Sequence, residues 1–126
     1  MSSQTEQLKQ RTMTFAISAL RLINKLPQTV NAQTVGCQLA KSATSIGANY
    51  RGCCNARSRA EFIAKLRVVV EESDESVYWL EVIINTHLLP HGDVVPTHSE
   101  AIELRSIFAR SLGTARANLK RTKVTK

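Results

Sequence analysis

Apolar residues recur along this chain with the 3.6-residue period of amphipathic α-helices, in four separate segments. The predicted helices cover residues of about 3–26, 31–54, 58–88 and 97–121. Capping boxes, in which a hydroxyl and a carboxylate three residues apart satisfy free amides, mark three predicted starts. These boxes are Ser3 with Glu6, Ser58 with Glu61, and Thr97 with Glu100. No segment shows the alternating pattern of a half-buried strand, so the pattern predicts an all-α protein.

Short connections separate the predicted helices. Pro27 ends the first helix, and Pro90, Gly92 and Pro96 mark the turn before the last one, because proline and glycine disfavour a helix interior. Long amphipathic helices with short connections pack as an antiparallel, up-down-up-down four-helix bundle. All 126 residues are predicted to form one domain, since domains commonly hold about 100–200 residues.

The first helix is apolar over a wider arc than one core contact requires. Met13, Ile17 and Leu20 lie about 120–180° from the main stripe around Phe15 and Leu22, at 100° per residue. Either the helix is flanked on both sides, or Met13, Ile17 and Leu20 form an oligomer interface. The small residues at positions 42–49 of the second helix predict a close crossing with a neighbouring helix.

Two carboxylates interrupt an apolar stripe of the third helix. Glu72 and Glu75 share this stripe with Trp79, and a desolvated carboxylate needs a partner. Arg51 continues the small-residue face of the second helix. We therefore predict a structural ion-pair cluster of Arg51 with Glu72 and Glu75, with Asn49 hydrogen-bonded nearby.

No pattern indicates catalysis, a cofactor or a metal. A carboxylate-bridged metal centre in a bundle uses Glu-x-x-His, and the segment 72–75 supplies no histidine. The three cysteines form no C-x-x-C pair and are expected to be buried or half-buried free thiols. The sequence therefore predicts a protein that is not an enzyme.

Positive and negative charges are segregated along the chain. Residues 1–67 hold ten Lys/Arg and two acids, residues 68–104 hold eight acids and no Lys or Arg, and residues 105–126 hold seven Lys/Arg and no acid. Such segregation is typical of a surface that faces a polyanion or an acidic partner. Internal pairing of an acidic helix with basic neighbours explains it equally well.

The acid-free fourth helix provides the candidate nucleic-acid surface. A basic stripe can follow phosphates with strong salt dependence, whereas aromatic residues make up only 5% of the chain, too few to predict base stacking. Arg57 and Arg59 can extend this surface. The predicted nucleic-acid-binding residues are Arg105, Arg110, Arg116, Lys120, Arg121 and Lys123. The competing interpretation is a solvated face that pairs with acidic neighbours.

Hydropathy gives no indication of a membrane protein. The apolar runs are shorter than the roughly 18 residues that a membrane span needs, and the first residues lack the basic-then-apolar order of a secretion signal. We therefore expect a cytoplasmic protein.

The central part of the sequence resembles a known family. Residues 38–51, QLAKSATSIGANYR, are similar to the second helix of the bacterial four helix bundle proteins, which include proteins encoded in 23S rRNA intervening sequences. The similarity extends roughly from residue 12 to residue 90. It includes Leu26-Pro27 and the segments 58–62, 65–66, 71–76 and 78–80.

The resemblance implies a homo-oligomer, commonly a pentamer ring. Related bundles, including the accessory variability determinant protein, are accessory subunits of the reverse transcriptases of diversity-generating retroelements, and their basic surfaces contact nucleic acid. Two hypotheses follow from it. The first is an oligomeric accessory protein that associates with nucleic acid, in particular RNA. The alternative is a scaffold ring that docks a partner protein such as a reverse transcriptase.

Overall fold

Four helices account for nearly the whole of the described chain. The computed structural model describes the backbone of residues 3–125 and the side chains of residues 3–121. The helices are α1 (Ser3–Ile23), α2 (Val30–Cys54), α3 (Arg59–Asn85) and α4 (His91–Thr125). Each helix packs against the next one, and α4 closes the bundle against α1. The predicted all-α, up-down-up-down four-helix bundle is confirmed, and within residues 3–125 there is no strand.

The core is formed by one apolar stripe from each helix. Phe15, Leu39, Leu80 and Phe108 are among its fully buried members, and the rings of Tyr50 and Phe108 lie 5.2 Å apart between centroids. Burial of aromatic and branched side chains stabilises the fold by about 25 cal/mol per Å² of apolar surface removed from water. No helix in the described part of the chain is both long and apolar enough to cross a membrane.

The caps of the two central helices follow the expected chemistry. The Thr29 hydroxyl accepts a hydrogen bond from the Ala32 amide, and the Ser58 hydroxyl accepts one from the Glu61 amide. The Glu61 carboxylate in turn accepts from the Arg57 amide at 3.0 Å. The Ser58 half of the predicted capping box is therefore present, while the Glu61 carboxylate accepts from Arg57, the residue before the cap. Free amides at the helix start gain acceptors in this way.

The predicted start of α4 at residue 97 is wrong, because the helix begins six residues earlier. Val94 is fully buried and Thr97 is nearly so, so the core stripe of α4 continues upstream of the predicted start. Pro96 lies within the helix, but its side chain is exposed. Proline is best tolerated in the first turn of a helix, but Pro96 is the sixth residue of α4, so its missing N–H removes one intrahelical hydrogen bond. Burial of Val94 therefore outweighs the helix-breaking preference of Pro96.

The end of α3 also differs from the predicted one, which lay at Leu88. The helix ends at Asn85, and His87 follows with a positive φ of 56°. The amide of Leu88 bonds to the carbonyl of Ile83, and the amide of His87 bonds to that of Ile84. This pattern is a Schellman motif, in which a left-handed residue turns the chain out of the helix. A glycine at this position would have indicated the helix end in the sequence, whereas a histidine gives no comparably strong indication.

The predicted close crossing of the small-residue segment is present between α1 and α2. A Cβ atom added at Gly47 would lie 3.0 Å from the hydroxyl oxygen of Thr12. On the opposite side of α2, the Ser76 hydroxyl donates to the Ser42 hydroxyl across the α2–α3 interface at 2.9 Å. Small side chains therefore bring α2 close to both neighbours.

Candidate nucleic-acid interface and association surfaces

Part of the positive charge is neutralised within the bundle. Arg105 on α4 lies 2.8 Å from a carboxylate oxygen of Asp74 on α3. Arg11 on α1 donates two hydrogen bonds to Glu100, at 2.7 and 3.0 Å, and lies 3.3 Å from Glu103. These acceptors raise the pKa of Arg11. Arg11 and Arg105 therefore form ion pairs with acidic residues of the same chain, as the internal-pairing interpretation predicted.

Three cations of α4 have no such neighbour. Arg110, Arg116 and Lys120 are exposed, and none of them forms an ion pair with the side chains of residues 3–121. Arg121 is also exposed and donates to the side chain of Asn118 at 3.0 Å. The backbone of Lys123 is helical, but its side chain lies outside the described residues.

The helix register places further basic residues beside this part of α4. The pairs Arg105–Asp74 and His98–Glu81 fix one antiparallel register for α3 and α4. In this register, residues near 120 of α4 lie level with residues near 59 of α3. Arg57 and Arg59 are exposed at that level. We use the name basic end of the bundle for Arg57, Arg59, Arg110, Arg116, Lys120 and Arg121. These cations lie on two sides of α4, because Arg110 and Arg121 are about 120–140° from Arg116 around the helix.

The predicted cluster of Arg51 with Glu72, Glu75 and Asn49 does not form within the chain. No ion pair joins Arg51 to either carboxylate among the residues with described side chains. The amide of Asn49 instead donates to the carbonyl of Ser45 at 2.8 Å. Arg51 and Ser45 lie about 120° apart around α2 at 100° per residue. Because Arg51 faces the α1 side and Ser45 the α3 side, Arg51 cannot meet the carboxylates.

Neither carboxylate forms an ion pair with a described side chain. Glu72 is half-buried, and desolvation raises its pKa, with further contributions from Glu75 and Glu71, while a hydrogen bond with Ser45 opposes the increase. Desolvation and like charges both disfavour an ionised carboxylate. We use the name α3 stripe for the face formed by Val68, Glu72, Glu75, Trp79 and Val82.

The α3 stripe also carries apolar surface. Val68 is 37% exposed, and Tyr78, beside the stripe, is 56% exposed. The rings of Tyr78 and Trp79 meet edge to face with centroids 4.9 Å apart. The indole N–H of Trp79 is buried and has no hydrogen-bond partner within the described structure. An apolar and acidic surface with unmet polar groups is unusual for a face that remains in water.

An open groove of about 530 Å³ runs between α1 and α2. The predicted interface residues Met13, Ile17 and Leu20 line it and are 48%, 41% and 40% exposed. The small residues of α2, including Gly47, form its other wall, and Arg51 lies at its edge. The pattern of α1 predicted the exposed apolar residues. It did not predict the groove, which depends on the close approach of α2.

No group of three or more His, Cys, Asp and Glu side chains with a metal-binding arrangement occurs among the described residues. Cys53 is buried, and desolvation raises its pKa to about 11; Cys37 and Cys54 are exposed, contrary to the expectation of burial. His98 is paired with Glu81 at 3.0 Å.

Comparison with known proteins relates this geometry to one family. The family model described as 23S rRNA-intervening sequence protein matches residues 4–110. A crystal structure of a protein of unknown function from the S23 ribosomal protein family of Bacteroides thetaiotaomicron is 32% identical, with a TM-score of 0.73. The aligned region covers 82% of this chain and 96% of that one. No curated protein matches the chain.

Proposed function

Since the chain belongs to the 23S rRNA-intervening sequence protein family, we propose that it is a non-enzymatic, cytoplasmic accessory protein that associates with itself and binds RNA. The basic end of the bundle contacts RNA phosphates, and the α1/α2 groove takes part in self-association. The observation that carries the RNA-binding proposal is the exposure of Arg110, Arg116 and Lys120 without an acidic neighbour in the described structure.

Electrostatics favours RNA as the ligand of this surface. Its exposed cations Arg110, Arg116 and Lys120 attract a polyanion, because binding releases the counterions condensed on the phosphates. The exposed aromatic residue Tyr78 lies on α3 in the acidic region, away from the basic end, so stacking of bases does not accompany the phosphate contacts. Recognition by backbone contacts alone implies binding with little sequence preference.

The test compares two charge reversals of equal size. In R116E/K120E the basic end is altered, and in the control R21E/K25E two exposed cations of the opposite end are altered. Fluorescence anisotropy with a labelled RNA hairpin is measured at about 50 and about 200 mM KCl. With about three to four phosphate contacts, the affinity of the unaltered protein falls by on the order of 10- to 100-fold over this range.

R116E/K120E is expected to bind weakly and with a smaller salt dependence, whereas R21E/K25E retains most of the affinity. No binding by the unaltered protein at low salt would contradict RNA association. An equal loss in both variants would show that net charge, and not the basic end, determines the affinity.

The exposed α1/α2 groove also favours a second candidate, a scaffold ring for a partner protein such as a reverse transcriptase. This candidate predicts a protein that assembles but does not bind the RNA hairpin at low salt. The same anisotropy measurement therefore separates the two functions.

A further inference from the structure

The geometry points to a head-to-tail contact in which the α1/α2 groove of one copy receives the α3 stripe of a second copy. Arg51 of the first copy then pairs with Glu72 and Glu75 of the second. The inference rests on the proposed self-association and specifies which two surfaces meet. It also provides the cluster that the single chain does not form.

Charge complementarity identifies the occupant. Arg51 is an exposed cation at the edge of the groove and forms no ion pair within the described chain. Glu72 and Glu75 are about one helical turn apart and form no ion pair with the side chains that the structure describes. Glu72 is half-buried. A guanidinium has five donors and can bond to two carboxylates at once. The charges of the two surfaces are therefore opposite in sign.

The apolar parts of the surfaces also correspond. Met13, Ile17 and Leu20 present exposed apolar surface in the groove, and Val68 does so on the stripe. The groove extends from Lys9 to Leu20 along α1, which is about 16 Å at 1.5 Å per residue, and the stripe from Val68 to Val82 spans about 21 Å. One helix face can thus lie along the groove over most of its length.

The two surfaces lie on different sides of the bundle. Glu72 of the stripe lies beside Ser45 of α2, whereas the groove lies between α1 and α2. A contact between different surfaces is heterologous, so repeating it joins copies head to tail and does not form an isologous dimer.

The test uses a charge swap. R51E and E72R/E75R each place like charges across the contact, and R51E/E72R/E75R restores opposite charges with their positions exchanged. Light scattering after size-exclusion chromatography gives the mass over a concentration series, and circular dichroism confirms that each variant is folded. R51E and E72R/E75R are expected to raise the dissociation constant of the assembly at least on the order of tenfold, and the swapped variant to recover it.

A pair of apolar variants provides the matched control. Ile17→Asp is expected to abolish assembly, whereas Val30→Asp, at a residue that is 79% exposed outside both surfaces, is expected to leave the mass unchanged. A monomeric unaltered protein would overturn both self-association and this contact. Assembly that resists both charge reversals, or is not recovered by the swap, would overturn this contact alone. R116E/K120E is expected to assemble normally, so a loss of RNA binding can be distinguished from a loss of assembly.

Discussion

The two parts of α4 differ more than their common helical backbone suggests. From His91 to Leu112 the helix contributes a continuous buried stripe that includes Val94, Leu104 and Phe108. Beyond Gly113 no described side chain is fully buried, and Ala115 and Leu119 are only half-buried. The matched family region ends at residue 110, close to this boundary. We call the two parts the packed part (91–112) and the terminal segment (113–125).

The comparison of Arg105 with Arg116 shows that the neighbours of a cation, and not its residue type, determine whether it is free to bind an anion. Arg105 belongs to the packed part and is paired with Asp74, whereas Arg116 belongs to the terminal segment and has no acidic neighbour in the described structure. At 100° per residue they lie on the same side of α4. Only the second is available to a phosphate without first breaking an ion pair.

The largest expected difference concerns a core residue. Phe108→Ala removes a fully buried ring from the packed part and is expected to lower the free energy of unfolding by about 3–5 kcal/mol. The loss of hydrophobic transfer free energy and the cost of the cavity that remains both contribute to this value. Urea denaturation followed by circular dichroism measures the change. Leu119→Ala in the terminal segment is the control and should have a much smaller effect. Similar losses at both positions would contradict the division of α4.

The sequence predicted the helices and their core stripes because amphipathic periodicity depends on residues that are close in the chain. It misplaced the start of α4 and the end of α3 for different reasons. Pro96 is tolerated because Val94 is buried by other helices, and His87 adopts a left-handed conformation without a glycine. Both outcomes depend on tertiary context, which a local pattern does not contain.

A smaller effect is expected at the boundary between the two parts. A Cβ atom at Gly113 would meet nothing within 4 Å, so Gly113→Ala is expected to stabilise the protein by about 0.5–1 kcal/mol through higher helix propensity. Gly47→Ala is the control, because its Cβ would lie 3.0 Å from the Thr12 hydroxyl. Thermal denaturation compares the two. An equal gain at both positions would contradict the close approach of α1 and α2.

The candidate sites were predicted less completely than the fold. Charge counting identified the fourth helix but could not separate Arg105 from Arg116, because the pairing of Arg105 depends on the α3–α4 register. The stripe argument assigned Arg51 as the partner of Glu72 and Glu75, but Arg51 faces α1 whereas Glu72 lies beside α2. The pattern of charges along each helix does not contain the packing that decides which side chains meet.

The smallest expected effects test the comparison of Arg105 with Arg116 directly. Arg105→Ala removes an exposed ion pair and should cost about 0.2–1 kcal/mol of stability, whereas Arg116→Ala should leave stability unchanged. RNA affinity should fall more in Arg116→Ala than in Arg105→Ala. Asp74→Asn removes the carboxylate partner of Arg105, which can then contact RNA. The slope of the RNA affinity against salt concentration should become steeper by the equivalent of up to about one phosphate contact.

Anisotropy titrations at several salt concentrations, with urea denaturation of the same preparations, provide both measurements. If Arg105→Ala weakens RNA binding as much as Arg116→Ala, then the Asp74 ion pair does not keep Arg105 from the phosphates, and the packed part also contributes to the RNA surface. If Asp74→Asn changes neither affinity nor salt dependence while Arg116→Ala does, RNA contacts only the terminal segment and its neighbours at the basic end. In that case the location of a cation along α4 matters more than its freedom from an acidic neighbour.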